Sequence, residues 1–456
     1  MKIFIFLLNL ALYATQIIGG YNSDRLFKYR KFPISDDVGD PLILTPLIEA
    51  GQIEEAQNES KVEFESFDPI VSYSGYFTVD KLFENNLFFW FFPSEDNVAS
   101  DPVVLWLQGG PGSPSEYGLF EEHGPFIVSE NDTVSLREYR WTRNQSVLYL
   151  DNPVGTGFSF SNKAGYASNQ TKVGQDLYNG LIQFFTLFPQ LQNNDFFIVG
   201  ESYAGKYVPA VSYTILQNNP SASLKINLKG LAIGNGLTDP INQADYADYV
   251  YQLGLVDANT RDTLLSYKAL FEKYVAEEDW TSATEYFGDK IIDLISEASE
   301  VYSVYNYLQD SDESSSDWQS FIQQNARKAL HIGNTEFGNG PVYEYLYDDI
   351  SKSVAPWVSE LLSNYPVLIY SGQVDIIVAY PMTVNYLQNL NFSAAEEYKT
   401  AERNIWIDSK GVAGYYKTAG NLTELLVRNA GHMVPTDQPE RAYSLIYKFT
   451  RSLPFN

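Results

Sequence analysis

The sequence predicts an α/β protein with a mostly parallel central sheet, helices on both faces and a largely helical insertion. Three observations carry this. Apolar β-type runs come close together at first, at Ser72 to Val79, Asn86 to Phe92 and Val103 to Leu107. They then fall at helix-length spacing, at Val147 to Asp151, Phe196 to Val199 and Ile226 to Ile233. Close spacing predicts an antiparallel edge, and wide spacing predicts parallel strands joined by crossover helices. After Asp239-Pro240 the chain turns polar and helix-favouring, rich in Tyr, Glu and Asp, until about Asp348; Val367 to Tyr370 and Leu422 to Val427 then resume the sheet.

In chain order, residues 1–20 carry one Lys, an apolar run from Ile3 to Tyr13 and the small pair Gly19-Gly20. This is the pattern of a secretory signal peptide, and its apolar run is too short for a membrane span. Residues 21–67 are polar and acidic with Pro33, Pro41 and Pro46, which predicts an extended arm and a candidate pro-segment. Residues 68–240 and 349–456 form the predicted α/β core and 241–348 the predicted helical cap, within which Asp310 to Asp317 reads as a solvated acidic loop.

Composition removes several functional classes. Fifty-seven acidic against 30 basic residues give a net charge of −27, which repels nucleic acid and anionic membrane surfaces. Zero cysteines exclude thiol catalysis and disulfides, and three histidines without H-E-x-x-H argue against a zinc hydrolase. No cofactor or metal is expected. Sequons at Asn58, Asn131, Asn144, Asn169, Asn391 and Asn421 fit a secreted or lysosome-like glycoprotein and mark candidate surface loops.

The chemistry centres on DFFIVGESYAGKYVP, Asp195 to Pro209, where a strand meets a G-x-S-x-G pentapeptide centred on Ser202 and then a segment able to become helix. The pentapeptide alone occurs by chance in roughly one or two chains in ten. Its context makes it a nucleophile elbow, in which a sharp turn lifts the serine hydroxyl clear of an α/β-hydrolase sheet. A serine hydroxyl needs a base, and the base an acid that fixes its tautomer. In the α/β-hydrolase order both lie C-terminal, acid first. Asp375, beyond the run Val367 to Tyr370, and His432, beyond Leu422 to Val427, fit, and His432 is the only histidine after Asp375. Gly109-Gly110-Pro111-Gly112 follows a strand end and can lay backbone N–H groups against an oxyanion. His123 and His331 read as structural.

WLQGGPG, LYLDNPVGTGFSF, VGESYAGKYVP, YSGQVDIIV and GHMVPTDQP stand in the order and approximate spacing of the serine carboxypeptidase family. The chain resembles that family from about Ser72 to Phe449, and Gln108 with ARKALHIGN resembles its vitellogenic-carboxypeptidase-like branch. The resemblance implies Ser202, Asp375 and His432 as catalytic triad and the backbone N–H groups of Gly110 and Tyr203 as oxyanion hole. It implies Gln108, the Gly109 backbone, Glu122 and Glu201 as the group gripping the substrate's C-terminal carboxylate, and Met433 near the leaving group. Most members carry Asn at the position of Gln108 and Cys at that of Ser113.

The implied activity is release of C-terminal residues from peptides or proteins through an acyl-enzyme on Ser202. Three carboxyl groups meeting in one site imply acidic preference, with KM rising between about pH 5 and 7. Two alternatives stay open: an acyltransferase or esterase on the same triad, and a non-catalytic secreted binding or storage protein on a hydrolase scaffold.

Overall fold

The computed structural model describes residues 32, 38–311 and 317–455. The expected signal peptide, most of the first part of the arm and the middle of the acidic loop lie outside the described residues.

The chain begins its sheet after two short helices, α1 (Thr45–Glu49) and α2 (Ile53–Ser60), and a 3₁₀ turn. Strands β1 (Tyr73–Asp80), β2 (Asn85–Phe92) and β3 (Val103–Leu107) follow; a small hairpin, β4 (Phe126–Val128) with β5 (Val134–Leu136), stands apart from the main sheet. Then come β6 (Ser146–Leu150), β7 (Phe160–Ser161), α3 (Gln170–Leu187), β8 (Phe196–Glu201), α4 (Ala204–Asn218) and β9 (Leu228–Gly234). The predicted cap contains α5 (Ala247–Gln252), α6 (Ala258–Ala276), α7 (Trp280–Thr284), a π-helical segment, α8 (Ile292–Ser299), α9 (Trp318–Phe321) and α10 (Val342–Ile350). After α11 (Ala355–Leu362) the sheet resumes with β10 (Val367–Gly372), α12 (Tyr380–Asn389), α13 (Ala395–Thr400), β11 (Asn404–Asp408), β12 (Gly411–Ala419) and β13 (Leu422–Val427). Helices α14 (Val434–Asp437) and α15 (Pro439–Thr450) close the chain.

The strands form one 11-stranded sheet in the order β1-β2-β6-β3-β8-β9-β10-β13-β12-β11, with β7 on β2. From β6 to β13 neighbours are parallel; β1, β2 and β7 make one antiparallel edge, and β12 and β11 the other. The apolar runs of the central strands follow from cover on both faces. Val103, Leu105 and Leu107 of β3 enter one cluster, with Val173 and Leu177 of α3 and Val208 and Val211 of α4. Val104 and Trp106 of the same strand enter the other, with Leu445 and Ile446 of α15. The period of two thus places alternate side chains in two separate cores.

Two expectations change. Residues 45–60 of the predicted extended arm are helical and docked: Leu44, Ile48 and Ala56 enter the first core, and Leu44 N–H donates to Tyr76 O at 3.0 Å. Helices of 5 and 8 residues are too short for apolar periodicity to stand out from a polar background. The second antiparallel edge is also new. In β11 only Trp406 is buried, while Ile405 and Ile407 are exposed, and its apolar run, Ile405–Ile407, is shorter than those of the central strands.

Because Leu44 is fully buried, Leu44→Ala should destabilise the protein by about 2–5 kcal/mol in denaturant unfolding. A change near zero would mark residues 42–60 as a dispensable arm.

Candidate active site

The parallel strands converge on one end of the sheet, and their carboxyl ends carry the predicted site residues. β8 stops at Glu201, Ser202 turns with φ of +64°, and α4 begins two residues later. A left-handed serine is strained, and the surroundings hold it there. Ser202 N–H donates to Gly234 O at 3.0 Å, and its carbonyl accepts from Gly205 and Leu237 N–H at 2.9 and 3.0 Å. Gly200 is needed because a Cβ there would lie 2.7 Å from Leu107 O.

Asp375 follows β10 and His432 follows β13, the adjacent parallel strand. Both are buried, and His432 Nδ1 lies 2.8 Å from Asp375 Oδ2. That contact fixes Nδ1 as the protonated nitrogen of the neutral ring and leaves Nε2 as the base. Nε2 is buried without a hydrogen-bond partner among the described residues, so its bond to the Ser202 hydroxyl is not closed in this structure. Catalytic hydrogen bonds are often long before substrate binds.

Residues 304–307, from the predicted cap, hold both loops. Val304 O accepts from Ile376 and Ile377 N–H, Tyr307 N–H donates to Val374 O, and His432 N–H donates to Tyr305 O at 2.7 Å. The Tyr305 ring stands 5.2 Å from the imidazole. Asn306 and Gly431 both donate to Asp437 Oδ2.

The β3 end abuts the elbow. A Cβ on Gly109 would lie 2.6 Å from both Ser202 Cβ and Tyr203 N, so only glycine lets this backbone approach. Gly110 has φ of +107°. The N–H groups of Gly110 and Tyr203 donate to no acceptor among the described residues, as an oxyanion site requires.

Gln108, one residue earlier, is gripped at both ends of its amide. Its Oε1 accepts from Trp106 Nε1 at 2.9 Å and its Nε2 donates to Glu201 Oε1 at 3.1 Å. Glu122 comes from a π-helical turn, Gly118–Glu122. Both of its carboxyl oxygens and Glu201 Oε2 are buried without a hydrogen-bond partner among the described residues, and the two carboxyls lie close enough for each to feel the other's charge. Both are buried, and no Lys, Arg or His pairs with either among the described residues. The nearby guanidinium of Arg137 is spent on the carbonyls of Phe120, Gly124 and Phe126. Burial pushes Glu122 up to about 8, and burial followed by the Glu122 charge pushes Glu201 well above the usual carboxylate range. The pair therefore retains a proton through the acidic and neutral range.

Met433 is half-buried beside His432, at the start of α14, and Thr436 of that helix donates to Glu121 O at 3.1 Å. His123 stacks on Trp141 at 3.7 Å and meets the edge of Trp106 at 4.3 Å, behind Gln108, with burial holding its pKa well down. His331 lies against Ser74, away from the triad. Of the sequon asparagines, Asn58 sits within α2 rather than in a loop. Asn144 is half-buried, its Nδ2 donating to Tyr443 Oη at 2.5 Å, whereas Asn58, Asn131, Asn169, Asn391 and Asn421 are exposed.

Sequence reasoning passed over Trp106, Tyr305 and Asn235. The first two act through partners that only folding brings together. Asn235 had a signal: it follows the run Ile226 to Ile233 between two glycines, the same strand-end position that singled out Asp375 and His432.

The sequence profile described as serine carboxypeptidase matches residues 63–452. Over 441 residues the chain is 50% identical to venom serine carboxypeptidase of Apis mellifera, covering 94% of each chain. It is 45% identical over 426 residues to vitellogenic carboxypeptidase of Aedes aegypti, covering 90% of each. The crystal structure of Kex1Δp, a prohormone-processing carboxypeptidase from Saccharomyces cerevisiae, matches with a TM-score of 0.75 at 24% identity over 87% of this chain and 96% of that one. That likeness establishes the fold, an α/β-hydrolase sheet with helices on both sides.

Proposed function

The chain belongs to the serine carboxypeptidase family, and from that premise we propose how its residues divide the work of a serine-type carboxypeptidase acting on peptides. One observation supports the proposal above the others: Ser202 is buried at the same carboxyl ends of the sheet as the buried His432–Asp375 pair, and it is adjacent in sequence to Glu201, whose carboxyl feels the charge of the buried Glu122.

Ser202 Oγ attacks the carbonyl of the last peptide bond while His432 Nε2 takes its proton. Asp375 stabilises the imidazolium through Nδ1. The tetrahedral oxyanion accepts hydrogen bonds from the N–H groups of Gly110 and Tyr203. Collapse breaks the C–N bond, His432 returns the proton to the departing amine, and the C-terminal residue leaves. Water then attacks the acyl-enzyme by the same route and regenerates Ser202. The Glu122–Glu201 pair donates its proton to the substrate carboxylate, with Gln108 Nε2 as a further donor, so that the last residue is held and the bond before it is cut. Met433 lines the leaving-group side.

The enzyme acts outside the cytosol, as a secreted or lysosome-like glycoprotein. The signal-like residues 1–20 and the five exposed sequons support this, and among the described residues no helix is long and apolar enough to cross a membrane. Glycopeptide mapping should find occupancy among Asn58, Asn131, Asn169, Asn391 and Asn421 and none at Asn144. Entirely unmodified sequons in protein from its native source would remove this support.

Ser202→Ala should lower kcat by about 10⁴- to 10⁶-fold, read as release of C-terminal residues by mass spectrometry. Retained turnover, or organophosphonate labelling on another residue, would overturn the triad assignment.

Amidating the peptide C-terminus should raise KM by about one to two orders of magnitude, since charge-assisted hydrogen bonds are lost. For the acid form, the proton on the carboxyl pair sets the pH dependence. Both carboxyls are raised, Glu122 to about 8 and Glu201 well above the usual carboxylate range. Binding is therefore full at low pH and weakens as the pH climbs through about 8 and the pair begins to give up its protons beside a third carboxylate. This window lies above the pH 5 to 7 expected from sequence on like charge and burial together, because burial of both carboxyls is almost complete. Glu122→Gln with Glu201→Gln should flatten the KM profile, since amides donate at any pH. Parallel profiles for wild type and double variant would remove the carboxylate-binding role.

A further inference from the structure

Asn235 stands fully buried at the end of β9, with φ of +44°, and makes three hydrogen bonds to one stretch of β10 and its loop. Its N–H donates to Tyr370 O at 2.8 Å, its Oδ1 accepts from Gly372 N–H at 3.1 Å, and its Nδ2 donates to Asp375 Oδ2 at 2.7 Å. The orientation of the amide is chemically forced: the opposite one would set an oxygen against a carboxylate and an NH₂ against an N–H.

Asp375 Oδ2 is the same oxygen that accepts from His432 Nδ1. Among the described residues the other oxygen, Oδ1, has only Val378 N–H, at 3.4 Å. No Lys or Arg pairs with Asp375 or His432 among the described residues. The other titratable groups around them are Glu201 on β8, Tyr249 on α5, whose hydroxyl donates to the Asp375 backbone carbonyl at 3.2 Å, and Tyr305 against the imidazole. Among the described residues Asn235 is therefore the one side-chain donor to the triad carboxylate besides His432 itself.

We infer that Asn235 is a positioning residue for the triad: it fixes the Asp375 oxygen that orients His432 and, by sharing that oxygen, limits how strongly the carboxylate favours the imidazolium. The inference rests on the triad reading given above. The physical reason is competition for charge. A hydrogen bond to a carboxylate disperses its charge, and inside a low-dielectric site each donor weakens the anion's pull on its other partners. Without Asn235, Asp375 holds protonated His432 more tightly, and the base is lost at a higher pH. The residue thereby extends catalysis toward acid, the range in which the Glu122–Glu201 pair holds its proton.

The experiment is kcat/KM against pH from 4 to 9 on a blocked peptide with a free C-terminus, for wild type, Asn235→Ala and Asn235→Asp. The aspartate variant keeps the side-chain volume and the acceptor for Gly372 N–H, but sets a carboxyl against Asp375 in place of a donor. Asn235→Ala should lose about ten- to a hundredfold in kcat, with KM changed less than about threefold and the acid limb displaced upward by about half a pH unit or more. Asn235→Asp should displace the limb further despite its closer shape. A uniform loss at every pH, equal limbs in the two variants, or failure of both variants to melt cooperatively would each make Asn235 framework only and overturn the inference. Ser202→Ala, assayed alongside, separates the readings: if it remains active the triad itself is wrong, whereas an inactive Ser202→Ala with unshifted Asn235 limbs removes only the role of Asn235.

Discussion

The site depends on the absence of one carbon atom. β3 and β8 are parallel neighbours, in register from Val103 with Phe196 to Leu107 with Gly200, so their ends run out side by side. The next residues on β3 are Gln108 and Gly109, and on β8 they are Glu201 and Ser202. With no Cβ, Gly109 lies against Ser202 and Tyr203 N. Gln108, one step back, then reaches Glu201. A single register thus sets the nucleophile beside an N–H pocket and, one residue away, a carboxyl pair. For an exopeptidase this is the needed geometry, because the substrate's carboxylate and its last peptide carbonyl are also one residue apart.

The second constraint is electrostatic. An arginine would bind a C-terminal carboxylate over the whole pH range. In the proposed site two buried carboxyls take that place, and they can do so only as proton donors. Trp106 and Gln108 keep the amide of that site in the donating orientation, and His123 packs behind Trp106 as a neutral ring. The other half of the site is built from the cap sequence. Residues 304–307 hydrogen-bond to the loops of both Asp375 and His432, so this part of the insertion braces the two loops against each other.

What could be read from the sequence followed from burial on both faces. Val103–Leu107 and Phe196–Val199 are continuous apolar runs because each face of those strands meets a core. Leu422–Val427 is apolar apart from Thr423 and Glu424, whose carboxylate accepts from the Tyr380 and Tyr398 hydroxyls. Their ends, with glycine, serine, aspartate and histidine just beyond, pointed to Ser202, Asp375 and His432. Strand β11 was illegible because its apolar run, Ile405–Ile407, is so short between Asn404 and Asp408, and α1 and α2 because so short a helix leaves no clear period. Asn235 was overlooked although it stands at the same strand-end position, since an amide has no reactive chemistry of its own; its meaning comes from the oxygen it shares with His432. The carboxyl pair was legible only through family resemblance, because Glu122 and Glu201 are brought together by a π-helical turn that leaves no local pattern in the sequence.

The account turns on a proton held between Glu122 and Glu201 and donated to the substrate. Calorimetric titration of a C-terminal product, in buffers of different ionisation enthalpy, counts the protons exchanged with solvent on binding. If the pair gives up protons as the pH rises past about 8 and must regain one to accept a third carboxylate, binding should take up about one proton there and close to none at about pH 5. Binding with no proton uptake at either pH, and unchanged affinity, would contradict it.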